Sequence, residues 1–181
     1  MERLVGRPAP HFDMPSTKNL ETLSERVRLE DYRGKWLVLF FYPADFTFVC
    51  PTEILAMNDR IQEFRDLNAE VLGVSVDNVY CHRAWIKTPR EQGGLGELQF
   101  PLASDMTKEV ARAYGVLVEE EGVALRGLFI IDPEGIVRYA VIHDMNVGRN
   151  VDETLRVLEA LQTGGLCPAN WKPGQKTLTP A

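Results

Sequence analysis

One run of apolar residues limits what this chain can fold into. Trp36-Leu37-Val38-Leu39-Phe40-Phe41-Tyr42 is almost unbroken, and Pro43 ends it. Such a run suits a strand covered on both faces, as in a sheet between helical layers. Seven residues after Pro43 comes Cys50-Pro51, where a helix should begin, with Pro51 suited to its first position. Ile54, Met57, Ile61, Phe64 and Leu67 then recur at steps of three and four and predict a single apolar helix face. Glu53 falls in the expected first turn, where negative charge is favoured.

The rest of the chain continues in alternating units. Residues 71–76 read as a second buried strand, 79–87 as a short helix and 93–96 as a glycine-rich loop. Residues 100–103 predict a strand, and 106–114 a helix stopped by Gly115. Residues 128–131 and 136–142 are strands joined by the turn chemistry of Asp132-Pro133-Glu134-Gly135. Asn150 with Glu153 suggests a capping box for a helix that Gly164-Gly165 end. Residues 1–35 are polar and loop-rich. Strand–helix–strand units followed by a hairpin predict an α/β fold: a mixed central sheet with helices on both faces. The expected domain is 1–165, with residues 166–181 as an extended tail.

Composition narrows the function classes. The 181 residues allow one domain with a sizeable core. Net charge is −6, from 20 Lys and Arg against 26 Asp and Glu, which argues against nucleic acid as a partner. The N-terminus lacks a signal-peptide core, and no apolar run reaches the ~18 residues of a membrane span. A soluble, cytoplasmic protein is expected. The three histidines have no zinc-type spacing, so neither metal nor cofactor is expected.

The three cysteines, Cys50, Cys81 and Cys167, are too few and odd in number for a secreted disulfide scaffold. Most cysteines are small buried hydrophobes. Cys50 differs by its address: a thiol at the start of a helix meets free N–H groups and partial positive charge, which favour the nucleophilic thiolate. Position 53 is Glu, so no Cys-x-x-Cys pair exists and a resolving thiol must come from elsewhere. Cys167, in the Gly- and Pro-rich tail, is either that thiol or a free surface one. Cys81, beside His82, reads as packing or subunit contact. Arg126 immediately precedes Gly127 and an apolar strand. It is either a solvated arginine or a fork of donors aimed into a cleft.

The stretch from Phe41 to Glu53, Tyr-Pro-Ala-Asp-Phe-Thr-Phe-Val-Cys-Pro-Thr at its centre, closely resembles the active-site segment of typical 2-Cys peroxiredoxins. These include the peroxidatic subunit of bacterial alkyl hydroperoxide reductase. Gly93-Gly94-Leu95-Gly96, Arg126 to Asp132, Val147-Gly148-Arg149 and Cys167-Pro168-Ala169-Asn170-Trp171 resemble further family segments, in family order. The resemblance implies a thioredoxin-like fold and a thiol-dependent peroxidase. By position, Cys50 matches the peroxidatic cysteine, Thr47 the hydroxyl that bonds peroxide, and Pro43 the shield against water. Arg126 matches the stabilising guanidinium, and Glu53 and Arg149 its supporting ionic network. Cys167 matches the resolving cysteine, supplied by the second subunit of a homodimer.

The implied partners are a hydroperoxide and thioredoxin or another thiol or flavoprotein reductant, with dimers assembling into a decameric ring. A peroxide-switched chaperone or redox relay is the alternative. In sensitive relatives the Gly-Gly-Leu-Gly loop packs under a C-terminal helix carrying a Tyr-Phe pair. The chain ends 14 residues after Cys167, so comparative resistance to overoxidation is expected.

Overall fold

The apolar run at 36–42 forms the middle strand of the main sheet. The computed structural model describes residues 2–181. They divide into two compact units, one ending at Arg149 and one comprising Asn150–Ala181. The first unit begins with β1 (Asp13–Pro15), β2 (Arg26–Arg28) and β3 (Trp36–Phe41), then α1 (Val49–Asp59), α2 (Ile61–Asp66) and β4 (Ala69–Ser75). It continues through α3 (Val79–Lys87), β5 (Leu102–Ser104), α4 (Glu109–Ala113), β6 (Leu117–Val118), β7 (Val123–Ala124), β8 (Arg126–Ile131) and β9 (Val137–His143).

The main sheet has the order β5-β4-β3-β8-β9. Strand β3 pairs parallel to β4 and antiparallel to β8, so the sheet is mixed. Alternation along β3 feeds two cores. Leu37, Leu39 and Phe41 join Leu72, Val74, Phe129 and Ile131, with Val110 and Ala111 of α4. Phe40 and Tyr42 point the other way: the Phe40 ring lies 6.0 Å from Phe100, and Tyr42 lies 6.0 Å from Trp85 of α3. Helices therefore cover both faces, which is why the run carries no charged residue and its one buried hydroxyl, on Tyr42, is hydrogen-bonded to Asp45.

Several boundaries differ from the sequence expectation. The helix holding Cys50 starts at Val49, so Pro51 is its third residue and Glu53 its fifth. Proline is accommodated there because the first-turn N–H groups have no intrahelical acceptor. Glu53 thus sits in the second turn, where its role is set by its neighbours rather than by the helix dipole.

The predicted single helix is two, broken at Arg60, whose φ of −110° and ψ of 12° leave the helical region. The break follows Asn58, a buried amide that donates to Glu97 O and accepts from Gln99 N. The apolar face survives the break, and Ile54, Met57, Ile61 and Phe64 are all buried.

Strand β5 starts after Pro101 rather than at Phe100; proline has no N–H to give to a ladder. Helix α4 is shorter than 106–114, since Lys108 is left-handed at φ 65° and the Asp105 carboxylate accepts from Val110 N and Ala111 N. The loop-rich region 1–35 contains the antiparallel pair β1–β2. Like β6–β7, these strands are only two or three residues long, too short to display alternation.

The second unit is α5 (Val151–Thr163) and the segment after it. Asn150 caps α5 by accepting from Glu153 N, and Gly164 ends it at φ 68°. The expected capping box is only half formed: the Glu153 carboxylate takes Arg156 Nε at 2.6 Å and Nη2 at 2.7 Å. Beyond α5, buried Trp171 donates from Nε1 to Gln175 O, and its carbonyl accepts from Arg156.

Candidate active site

The turn between β3 and α1 brings Cys50 to the interior. Phe46 is left-handed at φ 56°, a conformation unusual for an aromatic residue. The Thr47 hydroxyl donates to Ala44 O at 2.8 Å, leaving its lone pairs open, and Thr47 itself is exposed. Phe48, the N-cap, has no side-chain cap bond, so first-turn N–H groups of α1 are not consumed by a capping side chain. Cys50 follows as the second helical residue, with 0% of its surface exposed. Pro43 is half-buried at the end of the β3 run.

Cys50 and Glu53 are three residues apart on α1 and share a face. That face meets Arg126, the first residue of β8, whose surface is 4% exposed. Arg126 Nη1 donates to Cys50 Sγ at 3.2 Å and to Glu53 Oε1 at 2.7 Å, while Nε donates to Met145 O at 2.7 Å. The guanidinium therefore has one fixed orientation.

Glu53 also binds Arg149. It accepts from Arg149 Nε at 2.6 Å, Nη2 at 3.0 Å and the backbone N–H at 2.8 Å. Arg149 Nη1 donates in turn to Phe41 O and Gly127 O, at 2.7 and 2.6 Å. The ladder between β3 and β8 ends at Phe40 and Leu128. Arg149 thus fills the fork one residue further on, with its guanidinium carbon 5.2 Å from the Phe40 ring centre.

The electrostatics follow from this packing. Burial alone would raise the Glu53 carboxyl, but hydrogen bonds and charge from Arg149, with the charge of Arg126, outweigh it and hold Glu53 below the ordinary value. Burial pushes Arg149 down, against the opposing pull of Glu53. A carboxylate shared by two guanidiniums leaves net positive charge facing the sulfur.

The structure thus brings together Cys50, Arg126, Glu53 and Arg149 of the residues singled out by sequence, with Pro43 and Thr47 on the turn before Cys50. Cys167 belongs to the second unit, where its Sγ lies 3.5 Å from Thr163 Oγ1 and 3.6 Å from Ala160 O. All three cysteines are free. Cys81 is half-buried on α3; burial, then the charges of Asp45 and Asp77, push its thiol up to about 12. Among the described residues, no group of three or more His, Cys, Asp or Glu is placed to hold a metal. Asp45 and His82 carry no role in the sequence reading, yet they meet beneath the turn. They lie 37 residues apart, and no spacing rule connects them.

Residues 5–140 match the AhpC/TSA family, and residues 160–181 match the C-terminal domain of 1-Cys peroxiredoxin. The chain is 63% identical to Bacillus subtilis YkuU over 98% of this chain and 99% of that one. It is 53% identical to chicken peroxiredoxin-1, covering 97% of this chain and 90% of the other. The crystal structure of reduced Plasmodium vivax 2-Cys peroxiredoxin superimposes with a TM-score of 0.95 at 39% identity, covering 99% of this chain and 95% of that one. The sheet and helices described above are those of the thioredoxin-like fold. The chain belongs to the AhpC/TSA family, as a typical 2-Cys peroxiredoxin, and is a peroxidase of the oxidoreductase class.

Proposed function

We propose that this protein reduces hydrogen peroxide and organic hydroperoxides at Cys50 and is recycled through Cys167. The observation that carries this reading is the 3.2 Å contact from Arg126 Nη1 to Cys50 Sγ at the start of α1. A guanidinium and a helix N-terminus both favour an anionic sulfur, and thiolate is the attacking form. No histidine base is required.

In the first step the Cys50 thiolate attacks one peroxide oxygen and the O–O bond breaks. The departing oxygen leaves as hydroxide or alkoxide and takes up a proton, and the sulfur becomes a sulfenic acid. The Thr47 hydroxyl, its own proton held by Ala44 O, accepts from the peroxide O–H and so places the substrate, while Arg126 donates to the charge that develops on the oxygens. Pro43 shields the sulfur from water. Glu53 and Arg149 keep the Arg126 fork aimed.

In the second step the Cys167 thiolate of a second copy attacks the sulfenic sulfur. The S–O bond breaks, hydroxide leaves and takes up a proton to become water, and an intersubunit disulfide forms. Cys50 is fully buried, so the first turn of α1 unwinds to allow this. The 166–181 tail is the segment that delivers Cys167. Thioredoxin, or a similar thiol or flavoprotein donor, reduces the disulfide, and the dimers assemble into a ring. The role is antioxidant defence. Among the described residues, no helix is long and apolar enough to cross a membrane. The proposed setting is the cytoplasm.

The test is peroxide consumption coupled to thioredoxin, thioredoxin reductase and NADPH. Wild type should turn over and Cys50→Ser should not. Turnover by Cys50→Ser would reject the assignment.

A further inference from the structure

Beneath the turn that precedes Cys50 lies a second buried polar cluster, which the chemistry above does not use. The side chains of Asp45 and His82 are both 0% exposed, with His82 Nδ1 2.5 Å from Asp45 Oδ2. The other Asp45 oxygen accepts from the Tyr42 hydroxyl at 2.7 Å. His82 Nε2 lies 2.9 Å from Ala103 O. A carbonyl can only accept, so Nε2 carries a proton, and one further proton lies between Nδ1 and Oδ2. The Asp45 backbone N–H donates to Asp77 Oδ2 at 2.8 Å, and Ser75 Oγ donates to the same oxygen at 2.8 Å. Asp45 is thereby tied at once to the ends of β3 and β4, to α3 and, through His82, to β5.

A buried polar cluster of this kind loses hydration that apolar side chains would not lose. Its location gives the loss a purpose. The next residue, Phe46, is left-handed at φ 56°, and its ring lies 5.8 Å from that of Trp85. A backbone so placed persists only where its surroundings over-determine it. One residue further, the Thr47 hydroxyl reaches back to Ala44 O. The turn from Ala44 to Thr47 is thus closed on itself and fastened to the sheet through Asp45.

We propose that Asp45, gripped by His82 and Tyr42, is a positioning residue for peroxide reduction: it fixes the turn that presents the Thr47 hydroxyl to peroxide bound beside Cys50. Asp45 does not touch the sulfur; it sets where the oxygens of the substrate sit. The inference rests on Cys50 being the peroxide-reactive residue.

Two readouts separate positioning from general damage. One is the single-turnover rate of Cys50 oxidation by hydrogen peroxide. The other is thiolate absorbance near 240 nm at neutral pH, in a background where Cys167 is serine; Cys81, which touches Asp45, stays in place and is protonated at that pH. Asp45→Asn keeps the shape but weakens the grip. It should slow oxidation by about 10²-fold, the order expected of a misplacement near 1 Å, with the absorbance unchanged. Tyr42→Phe removes one donor and keeps the ring on Trp85; it should slow oxidation roughly threefold, from the loss of one hydrogen bond. A wild-type rate in Tyr42→Phe overturns the proposal, even if Asp45→Asn fails to fold. So does a loss of thiolate absorbance in step with the rate. Failure of the underlying assignment gives a different result: wild-type Cys50 would remain unoxidised.

Discussion

Arg149 grips Glu53 at both carboxylate oxygens and through its own backbone N–H, with the two side chains 6% and 5% exposed. Such a pair is not a large net source of stability, because both charges lose their water. Breaking it is another matter. The surviving partner is left charged and buried, and here Arg149 also closes the fork between β3 and β8.

Glu53→Ala should therefore destabilise the fold by about 3–5 kcal/mol in chemical denaturation, the cost of an orphaned buried charge. The pH dependence follows from the direction of the Glu53 shift. Its carboxyl is held below the ordinary value of 4.5 in the folded chain, so the unfolded chain binds the proton more readily. The contribution is present above the ordinary value and disappears as pH falls through the lowered folded one. The gap in unfolding free energy between wild type and Glu53→Gln should narrow from about pH 7 to about pH 3. A constant gap would show that the carboxylate charge contributes nothing.

Arg126 serves three acceptors from a fixed fork: Cys50 Sγ, Glu53 Oε1 and Met145 O. Lysine brings the charge but not the geometry. Arg126→Ala should slow Cys50 oxidation by roughly 10²–10³-fold, as for loss of a preorganised donor, and Arg126→Lys should recover only part of that. Stopped-flow measurement of peroxide oxidation reads this directly. Equal rates for arginine and lysine would mean that charge alone matters.

The legibility of this chain tracks how far each signal extends along it. The run at 36–42 announces a two-sided strand because seven consecutive positions agree, and β3 lies mid-sheet accordingly. The periodicity of Ile54, Met57, Ile61 and Phe64 gives the buried face, yet it is blind to the break at Arg60. That break accompanies a tertiary contact of Asn58 with residues 97 and 99. Strands of two or three residues, such as β1 and β6, have no period to detect.

At the site, local sequence identifies Cys50 by its address but leaves Arg126 open between cleft and solvent. Their meeting across 76 residues depends on β8 lying beside β3, a fact of topology. Family resemblance supplies Arg126, Glu53 and Arg149 as a set. The backbone carbonyls that Arg149 also binds have no side-chain identity, and nothing in the sequence could mark them.

The division of labour between thiols gives a prediction of its own. Cys167→Ser should leave the first oxidation of Cys50 at the wild-type rate, because none of the groups around Cys50 is altered. It should stop recycling by thioredoxin, since no disulfide can form. Rapid-quench mass spectrometry should find Cys50 sulfenic acid accumulating, with about one equivalent of peroxide consumed. Sustained NADPH oxidation by this variant would remove Cys167 from the cycle.

Cys81 should behave as the least reactive of the three. Its thiol is pushed up to about 12 by burial and by the carboxylates of Asp45 and Asp77, on the same buried cluster that anchors the turn. In a Cys50→Ser, Cys167→Ser background, alkylation by iodoacetamide at about pH 9 should be roughly 10²–10³-fold slower in the native protein than in denaturant, because only thiolate reacts. Disrupting the cluster supplies the control. Asp77→Asn removes one of the two carboxylates, so alkylation of native Cys81 should speed up while the rate in denaturant stays the same. If both rates are unchanged, steric cover and not charge protects this sulfur, and the carboxylates beside it do not govern its ionisation.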